Sequence, residues 1–572
     1  MTLAFALTRR LPVKGLLPLL LSAAVSQAYA VDHGANGAAD NKNQTLSGAG
    51  NVSATLSATG GNGGDGALSG GNGGAASAVL DLTALWTANA TISATGGNGG
   101  NVVPANPDSG YGYGGDATAS GVLHGAGAAG SATAQGGSFG GLYAGVPNAG
   151  NATSSLTALT SGAQAVDLAS SAYAGLGGGA SVASLLVDSG VAQPAAGHAS
   201  VTGNVKAIGN DATTAGNSTA TLGLRGSGNL SGSSLALAGA VFDDPYVGQS
   251  PRATALSTVT GVTSGQHDVS LTSTAKTGVR FPADGTAIAN ASGQSGSGKV
   301  VVGADASTVG YTYVVGAATA HAVARATEQG GSATATASAD GMSSSALAEA
   351  YSVGAGSAKA VAIGSTGELL GGGSTIAHST STDGGQRALY ASVVSASNYT
   401  ATSETSFGGL GLVLPGLQSP YANGYATATA GGAAGLGGGV QAANGPGFGY
   451  VELETHHSWQ QSIAADHLWL KFLDVNSTPL GYFSLDISNN GQSLYFGEFN
   501  SQSEADQFFI GHALDLGPLG VGMQNLVIHS SLATGSYGFS YILAVPEPLE
   551  WLLMLSGLTL VMVAARRKSR QS

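Results

Sequence analysis

The chain has 572 residues, 94 of them glycine and none cysteine, and only 9% are charged, against about 25% in ordinary globular domains. The missing cysteine excludes disulfide staples, thiolate metal sites and cysteine nucleophiles. The formal charge is −13; three of the 18 basic residues precede residue 31 and four follow residue 548, whereas only one of the 31 acidic residues does, so a chain trimmed at both ends sits near −19. That balance argues against nucleic acid and other polyanionic partners and is compatible with divalent cations.

Residues 1–30 have the layout of a signal peptide. Arg9, Arg10 and Lys14 form a basic start, Leu16–Val25 an apolar run, and Ala28-Tyr29-Ala30 a small-x-small site, which predicts that signal peptidase cuts between Ala30 and Val31. The arginine pair also admits twin-arginine export, although Pro12 stands where that signal has an aromatic and the leucine-rich run favours the general route.

Three textures follow. Residues 31–160 are Gly/Asn-rich, and Ser57-Ala58-Thr59-Gly60-Gly61-Asn62-Gly63-Gly64 recurs unchanged from Ser93 to Gly100, with a degenerate copy from Ser131 to Gly137. A spacing of this size is the mark of a repeat architecture. Residues 161–449 are rich in Ala, Ser, Thr and Gly. Alanine takes every second position from Ala318 to Ala326, Ala333 to Ala339, Ala346 to Ala350 and Ala358 to Ala362, with Gly330-Gly331, Asp340-Gly341 and Gly354–Gly356 between the runs. Period two predicts strands. The spacing of roughly 12 to 14 residues suggests one β-solenoid rung per run, with an alanine-lined interior; helix and disorder are the competing readings.

Residues 450–544 look like a conventional domain. Leu468–Phe472 and Tyr482–Ile487 alternate, Ser493–Phe499, Asn525–His529 and Tyr537–Val545 read as further strands, and Asn489-Asn490-Gly491 reads as a hairpin turn. A short helix is expected from Ser503, with its acidic first turn. Together these suggest a small β-sandwich. Residues 545–572 close the chain with Val545-Pro546-Glu547-Pro548, an apolar run from Leu549 to Ala565 and the basic Arg566-Arg567-Lys568. About 17 residues at 1.5 Å each just cross a bilayer core of roughly 30 Å, and the basic cluster would hold its end in the cytoplasm. The expected fold is therefore mainly β: a solenoid-like or partly disordered stalk, a small β-sandwich with one helix, then a single transmembrane helix at 549–565.

The Pro-Glu-Pro motif, the single apolar span and the basic stub resemble the PEP-CTERM sorting signal of Gram-negative bacteria, in which Trp551, Leu553-Met554-Leu555 and Gly557-Leu558 also fall at familiar places. The resemblance implies that an exosortase-like membrane protease cuts near Val545–Pro548, after transient residence in the inner membrane, and releases the body to the cell surface or matrix. The order of strands, a Phe-Phe segment and Leu514-Asp515-Leu516-Gly517 also resembles a sandwich that precedes this signal in other proteins of the class.

Sites for chemistry are sparse. Gly60-Gly61-Asn62-Gly63-Gly64-Asp65 resembles a calcium-binding nonapeptide and makes Asp65 a weak calcium candidate, but the copies at Gly70 and Gly96 carry Ala75 and Asn101 where the carboxylate is needed. His456, His457, His467, His512 and His529 lack the spacing of a zinc motif. Gly136-Gly137-Ser138-Phe139-Gly140 matches a nucleophile elbow in letters only. Glu452 and Glu454 alternate on one strand without a buried partner, and Thr334-Ala335-Thr336 and Thr427-Ala428-Thr429 are isolated Thr-x-Thr pairs. No enzymatic activity and no cofactor are expected. The function that the sequence suggests is an exported structural or adhesive protein of the surface or matrix. The alternative is a carbohydrate-binding module that meets exopolysaccharide through Trp459, Trp469 or Tyr482.

Overall fold

The computed structural model describes residues 34–544, except 103–109, 141–148, 162, 178, 191–198, 210–215, 242–252, 280–284, 311–315, 342, 354–356, 366–371, 382–387, 397–398, 408–434, 445–450, 462–463, 465–466, 478–480 and 510–512. Among the described residues the chain winds as a solenoid with two strands per coil. One strand of each coil joins a first parallel sheet, beginning Asp40–Gly48, Ala76–Ala84, Ala117–Gly125. The next joins a second parallel sheet, beginning Val52–Thr59, Thr87–Thr95, Gly127–Gln135. Thirteen strands, ending with Val451–Gln461, follow one another in the first sheet, and twelve, ending with Gly435–Asn444, in the second. At about 4.8 Å per coil the stack is roughly 60 Å long.

The two sheets face each other because each strand has one apolar side. From Ala318 to Ala326 and from Ala333 to Ala339 every alternate alanine is at most 1% exposed, while the Thr, Ser, Val and Arg between them point outward. Small side chains let both sheets close over a shared apolar interior, and gaps are filled by pairing large with small. The Cα of Gly203 leaves room for Leu222 and Leu224, whose methyl carbons lie 2.9 and 2.8 Å from where a Cβ would stand. Buried serines tie the sheets together across this interior. Ser154 Oγ donates to the Ala132 carbonyl at 2.9 Å and meets Ser170 Oγ at 2.8 Å, and Ser257 Oγ donates to the Ser234 carbonyl at 2.8 Å.

The coil is longer than the alanine runs suggest. Ala317 registers with Ser343 and Asp40 with Ala76, so one turn of the solenoid takes from 26 to 36 residues in those places and contains two runs. A strand with one apolar face needs an opposing sheet to cover it, so a run of 12 to 14 residues cannot be a rung alone.

The expected free-standing sandwich is also corrected. The strand Gly522–Ala544 runs antiparallel to Val451–Gln461 in the first sheet and then to Gly435–Asn444 in the second. It is one strand where two were expected. Its outer neighbours are Tyr482–Asn489 in the first sheet and Trp469–Ser477 in the second. The carboxy-terminal sheets are thus sandwich-like continuations of the solenoid, and the interior widens there from alanine to an aromatic cluster of Phe472, Phe483, Phe499 and Phe509. The helix spans Gln502–Phe509, with Ser501 rather than Ser503 as its cap: Glu504 N donates to Ser501 Oγ at 3.3 Å, and Glu504 Oε2 accepts from Asn500 N at 3.0 Å. Asn490 and Gly491 take φ of 50° and 78°, as a tight hairpin turn requires. No helix of the described residues is long and apolar enough to cross a membrane, and the span expected at 549–565 lies outside them.

Candidate functional surfaces

The Gly/Asn segments are not turns. After Thr59 the parallel ladder continues but changes its period from two to three: Gly60, Gly63 and Gly66 donate to the carbonyls of Thr95, Asn98 and Asn101. A second set of amides crosses to the leg that returns the chain to the first sheet. Gly71 and Gly74 donate to Gly64 and Gly61, and Gly97 and Gly100 to Gly74 and Gly71. Bonds every third residue are the geometry of three-residue-per-turn extended helices, here packed as two layers of glycine legs. The packing has no space for a side chain, since a Cβ on Gly97 would lie 2.0 Å from the Gly61 oxygen and one on Gly100 2.1 Å from the Gly64 oxygen.

The third residue of each triplet faces solvent and caps the next coil. Asn62 Oδ1 accepts from Asn98 N at 2.9 Å, Asn98 Oδ1 from Ser138 N at 2.8 Å, and Asn36 Oδ1 from Asn72 N at 2.8 Å. The sequence repeat is one coil, so Ser93 Oγ also donates to Ser57 Oγ, 36 residues back, at 2.9 Å. Asp65, the calcium candidate, stands in this ladder: its Oδ1 accepts from Asn101 N at 2.7 Å. Asp116 does the same for Asn151 N at 2.7 Å. Among the described residues no three His, Asp or Glu side chains are grouped to hold a metal.

The outer faces of the sheets carry columns of short polar residues, such as Thr55, Thr91 and Ser131, or Ser57, Ser93 and Thr133. Charges on these faces pair between neighbouring coils: Lys276 with Asp305 at 3.6 Å, Arg225 with Asp188 at 3.9 Å and His321 with Glu349 at 3.2 Å. All are half-exposed, so each contributes little to stability. Burial pushes the Lys359 ammonium below and the Tyr495 phenol above their ordinary ranges.

The elbow-like Ser138 belongs to a glycine leg, with its amide on Asn98 and its carbonyl accepting from Gly99 N at 2.9 Å. His456, His457, Glu452 and Glu454 all lie in the strand Val451–Gln461. His467 pairs instead with Asp515 at 2.7 Å, and His529 is half-buried. Thr334 and Thr336 are flanked along their columns by Val301 and Lys359, and by Gly303 and Val361, so no threonine array forms there. Thr427, Thr429, His512 and the processing residues Ala30, Val31, Val545, Pro546, Glu547, Pro548, Arg566, Arg567 and Lys568 lie outside the described residues. Trp469 and Tyr482 remain half-exposed, and the Tyr482 hydroxyl donates to Glu498 Oε1 at 3.0 Å.

The residues that sequence reasoning passed over are the outward asparagines and the first strand. A Gly-Gly-x period of three was the readable signal for the former. For the latter, the 36-residue repeat sets Asp40 and Lys42 at the inward positions of Ala76 and Ala78. The chain matches no known protein family, and no curated protein resembles it in sequence.

Proposed function

We propose that the protein is an exported structural or adhesive component of the cell surface or extracellular matrix. In this reading signal peptidase removes residues 1–30, and an exosortase-like protease acts at the Pro546-Glu547-Pro548 motif. The observation that carries it is the use of the chain: one stack of coils occupies the body, and its exposed faces include columns of Ser and Thr at the fixed spacing of the coils. At the two limits of the described residues, Gly34 N already donates to the Ser69 carbonyl at 2.8 Å and Ala544 stands in register with Trp469. Both cuts fall outside the described residues and would leave every described strand in place. Intact-mass analysis of surface-released protein tests this. The expected species starts at Val31 and ends between Val545 and Pro548; released protein that retains residues 549–570 would refute the sorting step.

A second reading, binding of exopolysaccharide, draws support from the half-exposed Trp469 and Tyr482 at the carboxy-terminal end. It calls for a glycan array with the whole processed chain, because residues 450–544 share their sheets with the preceding coils. Micromolar binding abolished by Trp469→Ala or Tyr482→Ala would favour it over a scaffold.

A further inference from the structure

The two ends of the solenoid differ. At the carboxy-terminal end the parallel order stops: the antiparallel strand Gly522–Ala544 follows the last coil, the second sheet finishes in the three-residue strand Ala513–Asp515, and the helix Gln502–Phe509 packs nearby. Among the described residues, Asp40–Gly48 and Val52–Thr59 at the amino-terminal end each pair on one side only, with Ala76–Ala84 and Thr87–Thr95. Unpaired edges of two parallel sheets are templates for another chain.

The inward positions of this first coil break the pattern of the coils behind it. Asp40, Lys42 and Gln44 stand where the second coil has Ala76, Ala78 and Leu80, which are at most 2% exposed. The polar side chains fold across the mouth. Asp40 and Lys42 form an ion pair at 3.2 Å, Asp40 Oδ2 accepts from Thr59 N at 2.8 Å, and Lys42 Nζ donates to the Ser57 carbonyl. Both links run from the first sheet to the second. A chain stacked on this edge would remove both charges from water, and inward-pointing charge is a known defence of exposed strand edges.

We propose that Asp40, Lys42 and Gln44 form a terminator that prevents a second copy of this chain from docking on the amino-terminal coil, so that the protein is a finite, single-chain rod. Because only this end would open, removing the terminator gives a closed head-to-head dimer through antiparallel pairing of the first strands, not a filament.

The test uses the processed chain and its Asp40→Ala, Lys42→Ala, Gln44→Leu variant, which copies the second coil into the first. Light scattering should give one chain for the parent and twice that mass for the variant, with rods of twice the length by electron microscopy. Asn43→Cys, on the outward side of the first strand and the sole cysteine of such a chain, should cross-link only in the variant. Asp40→Asn with Lys42→Gln keeps size and hydrogen bonding, guards against misfolding, and should also dimerise. Lys276→Ala with Asp305→Ala, a pair on the flank of the rod, should not. A folded, monomeric variant would overturn the proposal. So would cross-linking by Asn43→Cys in a chain that keeps the terminator, or dimerisation of the flank variant.

Discussion

Gly97→Ala should destabilise the rod although alanine normally stabilises an extended backbone. Gly97 does not lie in the left-handed region, so the substitution should by itself gain about 0.4–1 kcal/mol by restricting the unfolded chain. Its methyl group, however, would stand 2.0 Å from the Gly61 oxygen and 2.5 Å from the Gly61 carbon. Reaching van der Waals separation moves one leg by on the order of 1 Å or more. That breaks the bond from Gly97 N to the Gly74 carbonyl, 2.9 Å, and the neighbouring one from Gly74 N to the Gly61 carbonyl, 2.7 Å. Two backbone pairs left unmade in a closed layer cost about 1–3 kcal/mol each, for a net loss of about 1–6 kcal/mol. Gly50→Ala is the control, since a Cβ there has nothing within 4 Å. Urea denaturation of the two variants, with amide exchange at Gly74, Gly97 and Gly100, measures the difference. A stack of coils opens locally, so exchange should rise first in the legs. An unfolding midpoint for Gly97→Ala equal to that of Gly50→Ala would refute the steric argument.

Asn98→Ala should remove the acceptor for Ser138 N and cost about 1 kcal/mol, while Asn98→Asp keeps an acceptor, as Asp65 and Asp116 do, and should cost less; exchange at the Ser138 amide distinguishes them. The Thr59 amide and then Lys42 hold the Asp40 carboxyl below the usual carboxylate range. The stability that this contributes is present above the unfolded value of about 3.9 and is lost as pH falls through the lower folded value, so Thr59 amide exchange, corrected for intrinsic rate, should rise only in that acid range. Asn36, Asn62, Asn72 and Asn98 each precede a glycine whose amide is bonded to the next coil. Cyclisation to succinimide needs that nitrogen free to attack the side-chain carbonyl, so peptide mapping after alkaline incubation should find isoaspartate at these four sites in urea but not in the native protein. Ala337→Val, at a position 0% exposed, should overpack the interior and cost about 1–3 kcal/mol, read as a lower urea midpoint.

How much of this was legible in the sequence depends on the range of the signal. Alternation from Ala318 to Ala350 identifies strands and their buried side because side-chain parity is a property of one strand. The hairpin at Asn490-Gly491 was readable for the same local reason. The 36-residue repeat announced a repeat architecture, but not that each coil holds two strands, since parity does not say which neighbour covers an apolar face. Only the fold assigned successive strands to opposite sheets and lengthened the coil beyond one alanine run. The Gly-Gly-Asn blocks have no side-chain pattern that separates a turn from a three-residue helix; the neighbouring legs decide it, by leaving 2 Å where a methyl group would go. Likewise Asp65 reads as an ion ligand in its own segment and becomes a backbone cap only when Asn101 is stacked one coil away. The carboxy-terminal strands announce a sandwich through their own aromatics, but its sheets are those of the solenoid, because Gly522–Ala544 pairs with strands up to 107 residues before it, as Leu543 does with Leu436. Sequence by itself determined that the alanine runs are strands and which side of each is buried. Tertiary structure alone decided what each exposed polar group does, because backbone hydrogen bonds between coils are made by atoms that every residue shares.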